Sequence, residues 1–163
     1  MTVTDDRKGT KQNTMISLSE IVDAMQMQSS TIAVYMHRLT GEYIPVADED
    51  LTDIEAGEKI SSLTGIELAP IREALDSPDY IPLPTLYDIN EYRMMAEFAE
   101  QCPDDAAFER LAAALRGAGA FRRFKDAVIR LNLENDWYAF KNESFKRIAI
   151  EWCGEHGIKF SKP

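Results

Sequence analysis

Apolar positions recur along this chain at two different periods, and the changes between them sketch a fold. Leu18, Ile21, Val22 and Met25 share one face at helical spacing. Just before them, "SLSE" at 17–20 sets Ser17 and Glu20 at capping-box distance, so hydroxyl and carboxylate can satisfy free amides at a helix start. Ile32, Val34 and Met36 then alternate with Ala33, Tyr35 and His37, the period of a half-buried strand. "LTGE" supplies a turn in which Gly41 can take positive φ, and "EYIPV" returns as a second strand. Pro45 has no amide to donate to a ladder, so the returning strand is expected at a sheet edge.

Beyond the hairpin the pattern weakens. Residues 48–79 show short helical patterns around 52–60 and 70–76, with Pro70 suited to the first position of a helix. "DYIPLPTLYDINEY" runs extended through its prolines. Asp88 and Glu91 repeat the capping spacing, flanked by Tyr87 and Tyr92 at staple positions, and Tyr92, Met95, Ala96 and Ala99 line the helix that follows. After Pro103 a helix with acids in its first turn places Phe108, Leu111, Ala112 and Leu115 on one face and ends at Gly117. Phe121, Phe124, Val128 and Leu131 mark the next one. "ENDWYAF" reads as a short aromatic helix, and Phe145, Ile148, Ala149 and Trp152 as a final one stopped by Gly157, with Ile158 folding back.

The sum is an α+β fold, mainly helical: an N-terminal helix and a β-hairpin, followed by a packed C-terminal helical bundle. Residues 1–14 are polar throughout and read as a flexible tail. Residues 15–163 are expected to form one domain, with a subdivision between the hairpin and acidic region (15–85) and the helices (86–163).

Composition supports a globular reading, with 45% hydrophobic and 28% charged residues. The chain has neither an apolar run of membrane-spanning length nor an apolar signal segment at its start. Its two cysteines, Cys102 and Cys153, do not make a disulfide framework. A cytoplasmic protein is expected.

Charge changes the picture more. The net charge is −10, but Glu42 to Glu109 holds 18 acids against 3 bases, and Arg110 to Arg147 holds 9 bases against 4 acids. The basic excess is densest in "LRGAGAFRRFKD", from Leu115 to Asp126. Such halves either attract each other or face a partner of opposite sign.

Three stretches, "YIPLPTLYDINEYRMMAEFAE", "LRGAGAFRRFKDAVIRLNLENDWYAF" and "RIAIEWCGEHGI", resemble a bacterial family known as uncharacterised protein family 0158, and the "TGE" of the hairpin is similar to it too. The similarity runs from about Tyr80 to Ile158 and is least between Leu51 and Pro78. It implies that residues 15–163 are one evolutionary unit, and it implies no activity, ligand or catalytic residue.

Two readings of the basic stretch stand side by side. In the first, Gly117 and Gly119 precede a helix whose free amides and positive dipole end favour an anion, and Arg116, Arg122, Arg123, Lys125 and Arg130 supply the charge. In the second, Gly117 ends one helix, Gly119 permits a tight corner, and the arginines pair with acids of the 42–109 stretch. The glycine pattern matches neither a P-loop nor a dinucleotide fingerprint, because no strand precedes it.

Other chemistry is thin. Cys153 and His156 form a C-x-x-H pair, but Cys102 and His37 stand alone, so no zinc set is expected. There is no GxSxG elbow, and the many carboxylate pairs single out none as a catalyst. Trp137, Tyr138, Phe140, Phe145 and Trp152 suit a core at their spacings, or base stacking beside the arginines. The expected function is therefore a non-enzymatic binding protein without a cofactor, engaging an acidic protein surface, or less readily nucleic-acid phosphates, through the basic helix. The rival is an enzyme acting on a phosphorylated or carboxylated small molecule, with arginines as the clamp and Asp88 or Glu91 as acid and base.

Overall fold

The computed structural model describes residues 15–162, so the tail expected at 1–14 lies outside the described residues. The order is β1 (Ile16–Ser17), α1 (Leu18–Gln26), β2 (Ile32–His37), β3 (Tyr43–Ala47), α2 (Asp48–Glu55), α3 (Ala69–Asp76), β4 (Tyr80–Pro82), α4 (Leu86–Ile89), α5 (Glu91–Glu100), α6 (Asp105–Ala114), α7 (Ala120–Arg130), α8 (Glu134–His156) and β5 (Phe160–Ser161). This is a mainly helical α+β fold. No helix among the described residues is long and apolar enough to cross a membrane.

The hairpin forms as its alternation predicts. Val34 and Met36 are fully buried, Gly41 sits in the turn at φ 75°, and β3, carrying Pro45, is an edge strand. The "YIPLP" stretch does more than run extended. Its first three residues pair antiparallel with β2, Met36 opposite Ile81, so the hairpin becomes a three-stranded sheet in the order β3-β2-β4. A second sheet, two residues to a strand, joins β1 to β5 in parallel, Ile16 opposite Phe160.

Ser17 caps α1 by accepting from the Glu20 amide, and α1 buries Leu18, Ile21, Val22 and Met25 while packing on α8. The caps near residue 90 differ from the sequence expectation. The capping box belongs to Thr85 and Asp88 on α4, and α5 is capped by Asn90, which takes the left-handed conformation at φ 50° and accepts from the Arg93 amide. An asparagine tolerates that geometry because its short polar side chain bonds locally. Tyr87 and Tyr92 make no staple, since both are exposed; the Tyr92 hydroxyl instead donates to the Leu115 carbonyl. The first acidic helix also lies earlier than its pattern suggested, at Asp48–Glu55.

The two aromatic helices expected near the C-terminus are one helix. "KNES" at 141–144 looks like a polar break, but Ser144 donates its hydroxyl to the Phe140 carbonyl one turn back, which lets a polar residue sit buried without interrupting the helix. Gly157 then ends α8 at φ 65°, and the Ile158 amide reaches back to the Cys153 carbonyl at 2.8 Å, with Ile158 buried beneath it.

The core gathers around an aromatic cluster from three helices. Phe124 and Trp137 meet edge to face at 5.0 Å between centroids, and Phe98 lies 5.4 Å from Trp137 and 5.5 Å from Phe140. Such offset pairs add to what their burial contributes. Phe108 and Phe121, assigned to the same faces by spacing, stay substantially exposed. Trp152 ties α8 to the sheet by donating Nε1–H to the Pro82 carbonyl.

Candidate functional site

α6 and α7 run back to back through a short corner, residues 115–119, and the corner explains how the arginines divide. The last carbonyls of a helix have no partner within it and carry the negative end of its dipole. Here those of Ala112 and Ala113 accept from the amides of Leu115 and Arg116, and the rest of the corner is met from outside. Arg123, one turn into α7, folds its guanidinium back over the corner: Nε donates to the Ala114 carbonyl at 3.2 Å, and the two terminal nitrogens donate to the carbonyls of Ala118, Arg116 and Gly117. Tyr92 takes the Leu115 carbonyl. A planar fork of five donors suits this work better than an ammonium would.

Gly117 and Gly119 hold the corner at φ 75° and 77°. A Cβ on Gly119 would lie 3.2 Å from Arg123 Nη1, so the glycine makes room for the protein's own arginine at the place where an incoming anion was expected. Arg123 is thus occupied by backbone.

The remaining basic residues are differently placed. A groove of about 680 Å³ opens between α6 and α7. Ala113, Ala114, Ala127 and Leu131 give it an apolar floor, and Arg110, Arg123 and Arg130 outnumber its one carboxylate, Asp126. Arg110 and Arg130 are exposed and have no hydrogen bond or ion pair from their side chains among the described residues, and the same holds for Arg116, Arg122 and Lys125 outside the groove. None of these arginines and lysines pairs with an acid of residues 42–109 among the described residues. The ion pair between the acidic and basic halves is made instead by Glu91 and Lys141 at 2.9 Å, one helix away.

Arg110 is the groove residue that sequence reasoning missed. It lies on the helix before the basic stretch, and only the packing of α6 on α7 brings it to the same groove as Arg130.

The profile of the uncharacterised protein family UPF0158 matches residues 12–162. The chain belongs to this family. The UPF0158 protein PA5073 of Pseudomonas aeruginosa is 28% identical over 67 residues, which are 40% of this chain and 44% of that protein, so the match spans less than half of the relative's length. No solved structure matches the chain. Membership of UPF0158 brings no substrate or partner to the groove, whose chemistry has to be read from its own residues.

The carboxylates of the rival enzymatic reading are engaged in this UPF0158 chain. Asp88 accepts from both the backbone amide and the hydroxyl of Thr85, at 3.0 and 2.8 Å, and these bonds hold its carboxyl below the ordinary carboxylate range. A group so stabilised as an anion is a poor proton donor at neutral pH. The Oε1 atom of Glu91 is buried and meets Lys141 Nζ as an ion pair, without hydrogen-bond alignment.

The C-x-x-H pair is split. Cys153 is buried, and burial pushes its thiol up to about 11, while His156 is exposed with Nδ1 at 2.9 Å from the Trp152 carbonyl. His37 Nδ1 accepts from the amides of Leu39 and Thr40. No three His, Cys, Asp or Glu side chains gather as a metal set among the described residues. Of the five aromatics weighed as stacking faces, Trp137, Phe145 and Trp152 are buried, Phe140 is half-buried in the core cluster, and Tyr138 alone is well exposed.

Proposed function

We propose that this chain is a non-enzymatic binding protein whose α6–α7 groove engages an anionic partner, an acidic segment of polypeptide. The observation that carries the reading is the pair Arg110 and Arg130, unpartnered at the rim of an apolar-floored groove whose one carboxylate is Asp126. Free guanidinium groups bind carboxylates through paired, charge-assisted hydrogen bonds, and the apolar floor adds contact area. Arg116, Arg122 and Lys125 widen the positive field around it.

Polypeptide is favoured over nucleic acid for two reasons. The net charge of −10 repels a polyanion at long range. The aromatics that would stack on bases are in the core, apart from Tyr138. The alternative of an enzyme gains no support from Asp88 and Glu91, both of which hold structure.

The test is fluorescence anisotropy with a labelled polyglutamate peptide at low and high salt. Binding is expected to weaken with salt and to weaken at least about tenfold in an Arg110→Ala, Arg130→Ala double variant that melts where the wild type does. Equal affinity in the double variant, or tighter binding to duplex DNA than to the peptide, would sink the proposal.

A further inference from the structure

The loop between α2 and α3 presents an apolar tip. Ile60 is 57% exposed, Leu63 59% and Ile66 67%, three aliphatic side chains within seven residues. This loop is closed on itself: the Ser61 amide donates to the Ile66 carbonyl at 2.8 Å, the Gly65 amide to the Ser61 carbonyl at 2.9 Å, and Ile60 and Glu67 form a bridge.

The loop is also clamped to α2. The Ser61 hydroxyl donates to Asp50 Oδ1 at 2.6 Å with both residues buried, and the Ser62 amide donates to Asp53 Oδ2 at 2.7 Å. Ser61 Oγ in turn accepts from the amides of Leu63 and Thr64. A buried aspartate fastens the loop while its aliphatic side chains point to water. That arrangement leaves hydrophobic surface exposed on a braced support, which in a soluble protein marks a contact surface.

The surroundings say what it contacts. Asp53, Glu55, Glu58 and Glu67 flank the loop in sequence and outnumber the two bases beside it, Lys59 and Arg72, within a stretch of strong negative charge. An apolar tip flanked by acids fits an apolar floor with a basic rim, which is what the α6–α7 groove offers. Within one molecule the two do not meet, because the tip is exposed and the groove arginines have no acidic partner from this region among the described residues.

We infer that the loop at 60–66 docks into the α6–α7 groove of a second copy of this chain, head to tail. The inference rests on the reading of the groove given above and names its partner. Two different patches meet, so an open assembly of any length keeps one free loop and one free groove, and chains grow until a ring closes.

The experiment is sedimentation equilibrium of the full chain, from micromolar to millimolar, with Leu63→Asp and Arg130→Glu variants. Both sites are exposed, so the fold should survive, and Ile66→Asp repeats the first substitution independently. The wild-type mass average is expected to rise above the 18.4 kDa monomer with concentration and to fall back with salt. Each variant alone is expected to stay monomeric. An equimolar mixture of Leu63→Asp and Arg130→Glu chains should plateau at twice the monomer mass, because one contributes an intact groove and the other an intact loop.

A wild type that stays monomeric at low salt overturns the inference. So does association that persists in either variant, or a mixture that remains monomeric. The polyglutamate measurement separates the two readings: a monomeric wild type that binds the peptide through Arg110 and Arg130 leaves the groove standing with another acidic protein as its partner, and loss of both removes the groove as well.

Discussion

The helical side of this protein and its acidic region are stabilised in opposite ways. On the helical side, side chains from α5, α7 and α8 interlock: Phe98, Phe124 and Trp137 are buried against one another and belong to a core that runs from Ile16 to Ile158. Across residues 48–79 just four residues are buried, and two of them, Asp50 and Ser61, are polar. Leu68 and Ala74 are the apolar pair, and neither belongs to the main core. One region is defined by packing, the other by hydrogen bonds that brace a loop. Apolar packing yields stability in proportion to area, whereas a buried hydrogen bond yields little net stability but a steep penalty when half of it is removed. The acidic region therefore holds its shape without contributing much to the fold, which suits a surface that meets a partner.

The sharpest way to break this contrast is Phe124→Ala. Phe124 is wholly buried between two aromatic rings, and its loss should cost about 3–5 kcal/mol in urea unfolding. If it costs no more than a surface change, the aromatic cluster is not what holds the helices.

A smaller loss is expected at alkaline pH, and it too should come from the core side. Burial, with Glu20 next, raises the Tyr43 hydroxyl well above its usual value, and burial raises the Cys153 thiol from 9.0 to about 11. Both groups hold their protons more tightly folded than unfolded, so the unfolded chain binds fewer protons as pH climbs. The stabilisation is whole below pH 9 and declines from there to 11 as Cys153 titrates, with Tyr43 adding above 10. Unfolding followed across that window should show the decline, and Tyr43→Phe should flatten its upper part. That variant also removes a buried hydroxyl that lacks a hydrogen-bond partner, so it should not destabilise the protein at neutral pH.

Asp50→Ala tests the other region. The Ser61 hydroxyl loses its acceptor, a penalty of about 1–3 kcal/mol that should fall on the loop. Hydrogen exchange should show the Leu63 and Thr64 amides losing protection while the global melt moves little. A global melt that falls as far as in Phe124→Ala would erase the distinction between the regions.

The smallest effects divide the arginines. Arg123→Ala strips the Ala114 carbonyl and those of the corner of their donor and should cost about 1–2 kcal/mol. Arg130→Ala, with no partner to lose, should stay within about 0.5 kcal/mol. Equal costs would mean that the groove arginines are structural after all.

The same contrast governs what the sequence could tell. Where a side chain's role follows from periodic burial, the pattern was readable: Val34 and Met36 inward on β2, Leu18 to Met25 on α1, Gly157 closing α8. Where the role comes from one hydrogen bond, it was not. Arg122 and Arg123 are neighbours of the same type, and only the reach of one guanidinium to the Ala114 carbonyl and the corner after it separates a structural arginine from a free one. The two aromatic helices expected near the C-terminus join as one through Ser144, whose hydroxyl bonds one turn back. Strands of two residues, as in β1 and β5, are too short to carry a period. Arg110 joins the groove through the packing of two helices, which spacing along either one does not encode.

The order in which the core closes has a consequence for biosynthesis. α1 leaves the ribosome well before α8, but it packs on α8, and the strand before it pairs with residues beyond α8. Contacts between distant parts of a chain form only after both parts exist, and domains fold as units during synthesis. Leu18, Ile21, Val22 and Met25 therefore wait, apolar and unsheltered, while nearly everything between is translated. A pause in translation within α8 is therefore expected to leave the apolar face of α1 open for as long as the ribosome waits.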